Sequence, residues 1–366
     1  MAVQRSLLAL KASQLKHVAT CLGLATTGPK ADLESVILRS IAENTKLKKA
    51  PRIVSVDMGI KNLGVCVLEA PNLAGTQTQS HTSVKVLAWK KVDVLSQMTS
   101  SPVTTAVSGS ERKLTANTPI DASIFRPSSL SKAALSIAQD LLDTYKPTHI
   151  LIERQRFRSG SASAVQEWTL RVNLLESMLY ACFETMRSNL PDASGAQKTF
   201  PETVEVNPAR VGRFWCGGVS ESEGTDVEPA LSGPHFNSSN LPKKQTAKLD
   251  KKEKLAKKDK IDKGAKIAVV RSWLDLDRAE DLPPPDVQLD FSDEAQQVAE
   301  TFSQTAIKMT KSERKAAGAA EVKGPIKLDD LADCLLQGVA WVRWEENRRK
   351  LAALLETPEH EKDSEL

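Results

Sequence analysis

Residues 51–69 read PRIVSVDMGIKNLGVCVLE, and this stretch decides the fold. Arg52 to Val56 and Gly64 to Leu68 are β-rich runs, with the turn Gly59-Ile60-Lys61-Asn62 between them. The residues before Asp57 are apolar, so Asp57 leaves a buried strand at its edge. A carboxylate held there on rigid backbone suits a metal ligand. Gly59 lets the chain turn sharply beside it. Turns also favour Asp and Gly for local reasons, so the motif alone decides little.

Working outward, Val84 to Trp89 reads as a third strand, which makes an antiparallel meander. Ala133 to Tyr145 carries Ala134, Leu135, Ala138, Leu141 and Leu142 on one helical face, and Pro147 ends it. His149 to Ile152 is a short apolar run of the buried parallel kind. A long helix is expected over Ala164 to Met186, a strand over Val204 to Val206, and helices through Val211 and Trp215 and from Ala265 to Leu274. The last helix runs from Asp329 to about Leu355. The order β-β-β-α-β-α-β-α-α predicts an α/β domain over 51–355 with a mixed five-stranded sheet flanked by helices. Three stretches read as insertions: a Ser/Thr/Pro-rich one at about 96–128, a lysine-rich one at 217–262 and an acidic, Pro-rich one at 275–323. The lysine run suits either a solvated linker or a phosphate-contacting arm.

Residues 4–45 form a separate unit. Leu7, Leu8, Leu10, Leu15, Val18, Leu22 and Leu24 recur at near-helical spacing, and the turn Thr27-Gly28-Pro29-Lys30 leads to a second helix with Leu33, Val36, Ile37 and Ile41. This helix, Gly-containing turn, helix pattern resembles a SAP motif, a helical DNA-binding hairpin. Lys30 in its turn is a candidate DNA contact. An ordinary packing hairpin is the bland alternative.

The chain has 366 residues, a formal net charge of +4 and 40% hydrophobic content, which suits a globular protein of one large domain or a large and a small one. No apolar run approaches the roughly 18 residues of a membrane span, and no membrane partner is expected. Five scattered cysteines, without a Cys-x-x-Cys, argue for a reducing compartment and against a disulfide scaffold or structural zinc. The first 31 residues lack Asp and Glu but contain Arg5, Lys11, Lys16 and Lys30, as organelle transit peptides do. No Walker A loop or Gly-x-Gly-x-x-Gly motif is present, and no small-molecule cofactor is expected.

Two further acidic sites repeat the logic of Asp57. Glu153 ends the apolar run His149 to Ile152, and Arg154-Gln155-Arg156-Phe157-Arg158-Ser159-Gly160 follows. Three arginines beside a carboxylate make a phosphate-binding edge, and Phe157 can stack on a base. Asp329, Asp330 and Asp333 open the last helix, where Asp330 and Asp333 share a face at i, i+3. Capping accounts for Asp329 or Asp330. It does not account for Asp333, which sits between Ala332 and Cys334-Leu335-Leu336; an acid among apolar residues is costly unless paired or metal-bound. Three carboxylate sites on separate elements, with only five histidines in the chain, fit a divalent-metal centre of the Mg²⁺ kind, able to serve phosphodiester hydrolysis, rather than zinc chemistry. Asp57 alone would also suit a sugar kinase or actin-like ATPase, but no second such loop follows a strand.

These segments resemble the ribonuclease H-like superfamily, and within it the RuvC-like fungal mitochondrial Holliday junction resolvases. The resemblance rests on 55–63, 152–160, 206–211 and 327–335, with the Glu153 segment the most specific. It implies a homodimeric endonuclease acting in mitochondrial DNA recombination, which binds four-way junctions and makes paired symmetric nicks with Mg²⁺ or Mn²⁺. Asp57, Glu153 and two of Asp329, Asp330 and Asp333 would be the catalytic metal ligands; helical geometry favours Asp330 with Asp333. Lys61, Asn62, Arg154, Gln155, Arg156, Phe157, Arg158 and Lys30 would contact DNA. The alternative is a non-catalytic DNA-binding or packaging protein on the same core.

Overall fold

The computed structural model describes residues 9–43, 50–71, 82–95, 122–155, 167–190, 200–217, 263–274, 287–305 and 328–356. The elements are α1 (Ala12–Cys21), α2 (Lys30–Glu43), β1 (Arg52–Asp57), β2 (Leu63–Glu69), β3 (Thr82–Val92), a 3-10 turn (Ala122–Phe125), α3 (Pro127–Tyr145), β4 (His149–Glu153), α4 (Glu167–Ser188), β5 (Glu202–Val206), α5 (Pro208–Cys216), α6 (Lys263–Leu274), β6 (Val287–Phe291), α7 (Asp293–Thr305) and α8 (Leu328–Glu356).

One sheet with the order β5-β4-β1-β2-β3-β6 organises them. The β1-β2-β3 meander is antiparallel, while β4, β5 and β6 add in parallel. Burial on both faces explains the apolar runs of β1 and β2. Side chains alternate: Ile53, Cys66, Leu68 and Leu151 face α5 to α8, while Val54, Val56, Val67 and Ile152 face α3 and α4. Pro127 begins α3 at a position where the missing N–H costs nothing, and Asn207 caps α5 by accepting from the Ala209 amide at 3.0 Å.

The sheet has six strands where five were expected. The sixth, β6, lies inside the expected insertion at 275–323, and α7 follows it directly. Both carry legible patterns. Val287, Leu289 and Phe291 alternate as a strand, and Ala295, Ala299 and Phe302 are buried at helical spacing. Ser292 Oγ accepts from the Ala295 amide at the start of α7 and donates to Leu87 O on β3 at 2.7 Å. The acidic, Pro-rich composition around them obscured a short edge strand that has a parallel partner far away in sequence. The expected insertion at 96–128 is likewise shorter: its last residues form the 3-10 turn and open α3, and 96–121 lie outside the described residues. The 217–262 stretch, Gly217 apart, also lies outside them.

Helix α8 is the spine. Trp89 and Trp215 donate from their indole nitrogens to Leu331 O and Leu336 O, both at 2.9 Å. Buried Arg343 donates to Thr82 Oγ1 at 2.7 Å. The far end of α8 receives the N-terminal hairpin. Asn347 Nδ2 donates to Cys21 O at 2.8 Å, and Arg348 donates to Leu22 O and Ser40 Oγ. Gly23 adopts φ +67° against the Trp344 ring, which a Cβ would strike at 2.3 Å.

Gly23→Ala strains both that backbone and that contact. It lowers stability by about 1–3 kcal/mol, seen as a fall in melting temperature; Gly28→Ala, at φ +118° with its Cβ no closer than 3.7 Å to any neighbour, strains the backbone alone. An unchanged melting temperature in Gly23→Ala would contradict tight docking of the hairpin.

Candidate metal centre

β1 and β4 are parallel neighbours, with Val56 opposite Ile152. Asp57 and Glu153 therefore emerge side by side at the carboxyl ends of adjacent strands. The two-residue alternation turns Asp57, like Ser55 and Ile53, toward α8. α8 passes close because β2 offers Gly64 opposite Asp57: a Cβ on Gly64 would meet Asp330 O at 2.6 Å. This approach lowers Asp333 onto the strand ends. Ligand oxygens of Asp57, Glu153 and Asp333 lie within 4.8 Å of one another.

Asp57 is 9% exposed. Burial pushes its carboxyl well above the usual value, and Glu153, Asp333 and Asp330 add repulsion, with a hydrogen bond to Glu153. Such a cluster is costly as bare anions, and a cation relieves it. Lys266 Nζ does part of this by pairing with Asp333 Oδ1 at 2.7 Å. Burial works against the ammonium, but Asp333, Glu153 and Asp57 outweigh it and hold its pKa above the ordinary value. Two thiols lie nearby. Burial pushes Cys216 up to about 11 and Cys334 far above its ordinary value, so neither is a thiolate at neutral pH. No histidine joins the three carboxylates among the described residues. An all-oxygen donor set of this charge fits a hard divalent cation.

The expected residues divide clearly. Asp57, Glu153 and Asp333 come together. Asp330 stands outside the 4.8 Å group but near enough to raise Asp57, and Asp329 precedes it in the first turn of α8. Exposed Lys61 and half-buried Asn62 lie in the β1–β2 turn, whose tightness Gly59 permits, since its Cβ would meet Asn62 O at 2.5 Å. Arg154 pairs with Glu205 at 3.0 Å, and its amide donates to Val206 O. The Gln155 amide donates to Glu176 at 3.2 Å. Arg156, Phe157 and Arg158 lie outside the described residues. Lys30 pairs with Glu34 on the hairpin at 3.6 Å and is not brought to the centre. The hairpin grips α8 near Arg348, about 22 Å along the helix from Asp333 at 1.5 Å per residue.

Two residues at the centre escaped the sequence reading. Lys266 falls in the expected helix from Ala265 to Leu274, just after the lysine run, and shares a helix face with buried Val269 and Val270 at i+3 and i+4; a lysine on an apolar stripe is the signal. Gln337, 2% exposed, lies one turn beyond Asp333 and left no comparable sign.

The family described as "Mitochondrial resolvase Ydc2 / RNA splicing MRS1", through its catalytic-domain model, matches residues 53–351. The chain belongs to this family. Two relatives are named "Cruciform cutting endonuclease 1, mitochondrial". The one from Schizosaccharomyces pombe is 30% identical over 208 residues, covering 57% of this chain and 67% of that protein. The one from Saccharomyces cerevisiae is 22% identical over 356 residues, covering 94% and 85%. A solved structure titled as the yeast mitochondrial Holliday junction resolvase Ydc2 aligns with TM-score 0.49 and 20% identity, over 94% of this chain and 98% of that one. All three carboxylates of the centre fall inside the family match.

The raised pKa of Asp57 has a thermodynamic consequence. Its carboxyl ionises more readily unfolded, near 3.8, than folded. The stability it contributes is present below 3.8 and is lost as pH rises through the higher folded value. In EDTA, Asp57→Asn therefore melts higher than the native chain, by a margin that widens as pH rises above 3.8. Divalent metal stabilises the native chain and erases the margin. A margin independent of pH and metal would contradict the coupled cluster.

Proposed function

We propose that the chain is a structure-selective DNA endonuclease that resolves four-way junctions by paired symmetric nicks. The observation that carries the proposal is the meeting of Asp57, Glu153 and Asp333, from two strand ends and one helix, within 4.8 Å. Membership of a family described by its mitochondrial resolvases supports it. The relatives' names point to mitochondria as its compartment and to DNA junctions as its substrate.

In this reading Asp57, Glu153 and Asp333 hold Mg²⁺ or Mn²⁺, with Asp330 completing the ligand set directly or through water. A cation held there would lower the pKa of a bound water and stabilise the charge that develops on the departing 3′-oxygen. The protein fixes the carboxylates on strand ends and on a helix anchored by two indoles. Lys266 restrains Asp333 and keeps positive charge beside the phosphate. Lys61, Asn62, Arg154 and Gln155 border the centre and contact the backbone on either side of the cut. Arg156, Phe157 and Arg158, which follow in sequence, are further DNA contacts in this reading. The hairpin is a SAP-like second contact, with Lys30 on a duplex arm, held at a fixed distance from the cut by its grip on α8. Two equivalent cuts in a two-fold junction call for two equivalent centres, hence a homodimer. Recognition by charge and shape makes binding fall steeply with salt. Among the described residues no helix is long and apolar enough to cross a membrane.

A second reading is a nucleic-acid-binding protein without nuclease activity. The family's joint description with RNA splicing favours it. The two readings part on one experiment. A labelled four-way junction and a matched duplex are incubated with native chain, Asp57→Asn and Glu153→Gln, with and without Mg²⁺. The proposal expects junction-selective paired nicks from the native chain, a loss of cleavage of about a thousandfold or more in both variants, and junction affinity within a few-fold of native. Tight junction binding without nicking by the native chain in Mg²⁺ or Mn²⁺ would establish the second reading.

A further inference from the structure

Gln337 lies one helical turn after Asp333, on the face of α8 pressed against the sheet. Its amide nitrogen approaches three oxygens: Ser55 Oγ at 3.1 Å, Val56 O at 3.2 Å and Leu151 O at 3.4 Å. The amide's orientation is fixed by chemistry, because two of these partners are carbonyls and only accept. Val56 directly precedes Asp57, and Leu151 is two residues before Glu153. One buried side chain thus ties together the three backbone segments that carry the three carboxylates. Gly338, the next residue, brings the helix close enough: its Cβ would meet Leu68 Cδ1 at 2.6 Å and Ser55 Cβ at 3.2 Å.

We infer that Gln337 is a positioning residue, which sets the spacing of Asp57, Glu153 and Asp333 and thereby the affinity of the centre for its divalent cation. It touches neither metal nor substrate. Apolar packing alone lets a helix slide or rotate on a sheet by fractions of an ångström, whereas directional hydrogen bonds to two adjacent strands fix both translation and rotation. Mg²⁺ tolerates little error in ligand position, so small slips at Gln337 become losses of affinity. Arg343 serves as the contrast. It is equally buried on the same helix, but it binds Thr82 at the opposite end of the sheet from the carboxylates.

The inference rests on reading the carboxylates as metal ligands, and the test separates the two claims. Mn²⁺ binding to the DNA-free protein is measured by electron paramagnetic resonance for the native chain, Gln337→Met, Ser55→Ala and Arg343→Met, alongside melting temperature in EDTA and the Mg²⁺ concentration that half-saturates junction cleavage. Gln337→Met is expected to weaken Mn²⁺ binding and raise the half-saturating Mg²⁺ about 10-fold or more, the usual scale for residues that orient ligands from behind. Ser55→Ala, which keeps two of the three contacts, shifts both in the same direction by less. Arg343→Met lowers the melting temperature yet leaves both metal values within twofold of native. Metal values for Gln337→Met within twofold of native, or equal shifts in Arg343→Met, would overturn the inference; if Gln337→Met does not fold, an unshifted Ser55→Ala overturns it. A native chain that binds Mn²⁺ but cuts no junction would fail the nuclease reading alone, and the Mn²⁺ affinities would still decide the role of Gln337.

Discussion

The seating of α8 across β1 and β2 is the constraint on which the rest depends. A helix lies close on a sheet only where side chains do not hold it off, and Gly64 and Gly338 clear the two places where α8 comes nearest. Trp89, Trp215 and Gln337 then fix it by hydrogen bonds in a region shielded from water, where a broken bond costs more than at the surface. Each of these contacts is modest. Together they leave Asp333 little freedom except to face Asp57 and Glu153.

That arrangement sets electrostatic strain against packing. The hydrophobic core on the α8 face holds the helix down, and in doing so it drives like charges together around a carboxylate that is largely out of water. Lys266 relieves part of the repulsion from a different helix. A cation held there would relieve the rest, and carboxylates perturbed in this way are common at functional sites. The same long helix extends to the N-terminal hairpin, so a single rigid element links the carboxylates to a surface about 22 Å away.

Much of this was legible in the sequence, for reasons that differ residue by residue. Asp57 and Glu153 could be read because each closes an apolar strand and the two repeat one pattern, although either alone has a bland reading as a turn or salt-bridge residue. Asp333 could be read because it interrupts the buried stripe of its helix. Lys266 carried the same kind of signal but was hidden by the lysines before it. Gln337 could not be read: an amide that donates to the backbone of distant strands leaves no periodicity. β6 and α7 were missed because composition outweighed a five-residue alternation, and because a parallel partner far away in sequence gives no local turn signal. The hairpin's two helices were evident, but the grip of Asn347 and Arg348 on its carbonyls was not, since those contacts are made by backbone oxygens.

The central claim is that Asp57, Glu153 and Asp333 form a divalent-metal centre. Anomalous diffraction from crystals soaked in Mn²⁺ tests it most directly. The account predicts a manganese peak bounded by carboxylate oxygens of these three residues, at the roughly 2 Å distances of a hard cation. Data showing no peak there, with Lys266 still paired to Asp333, would contradict it.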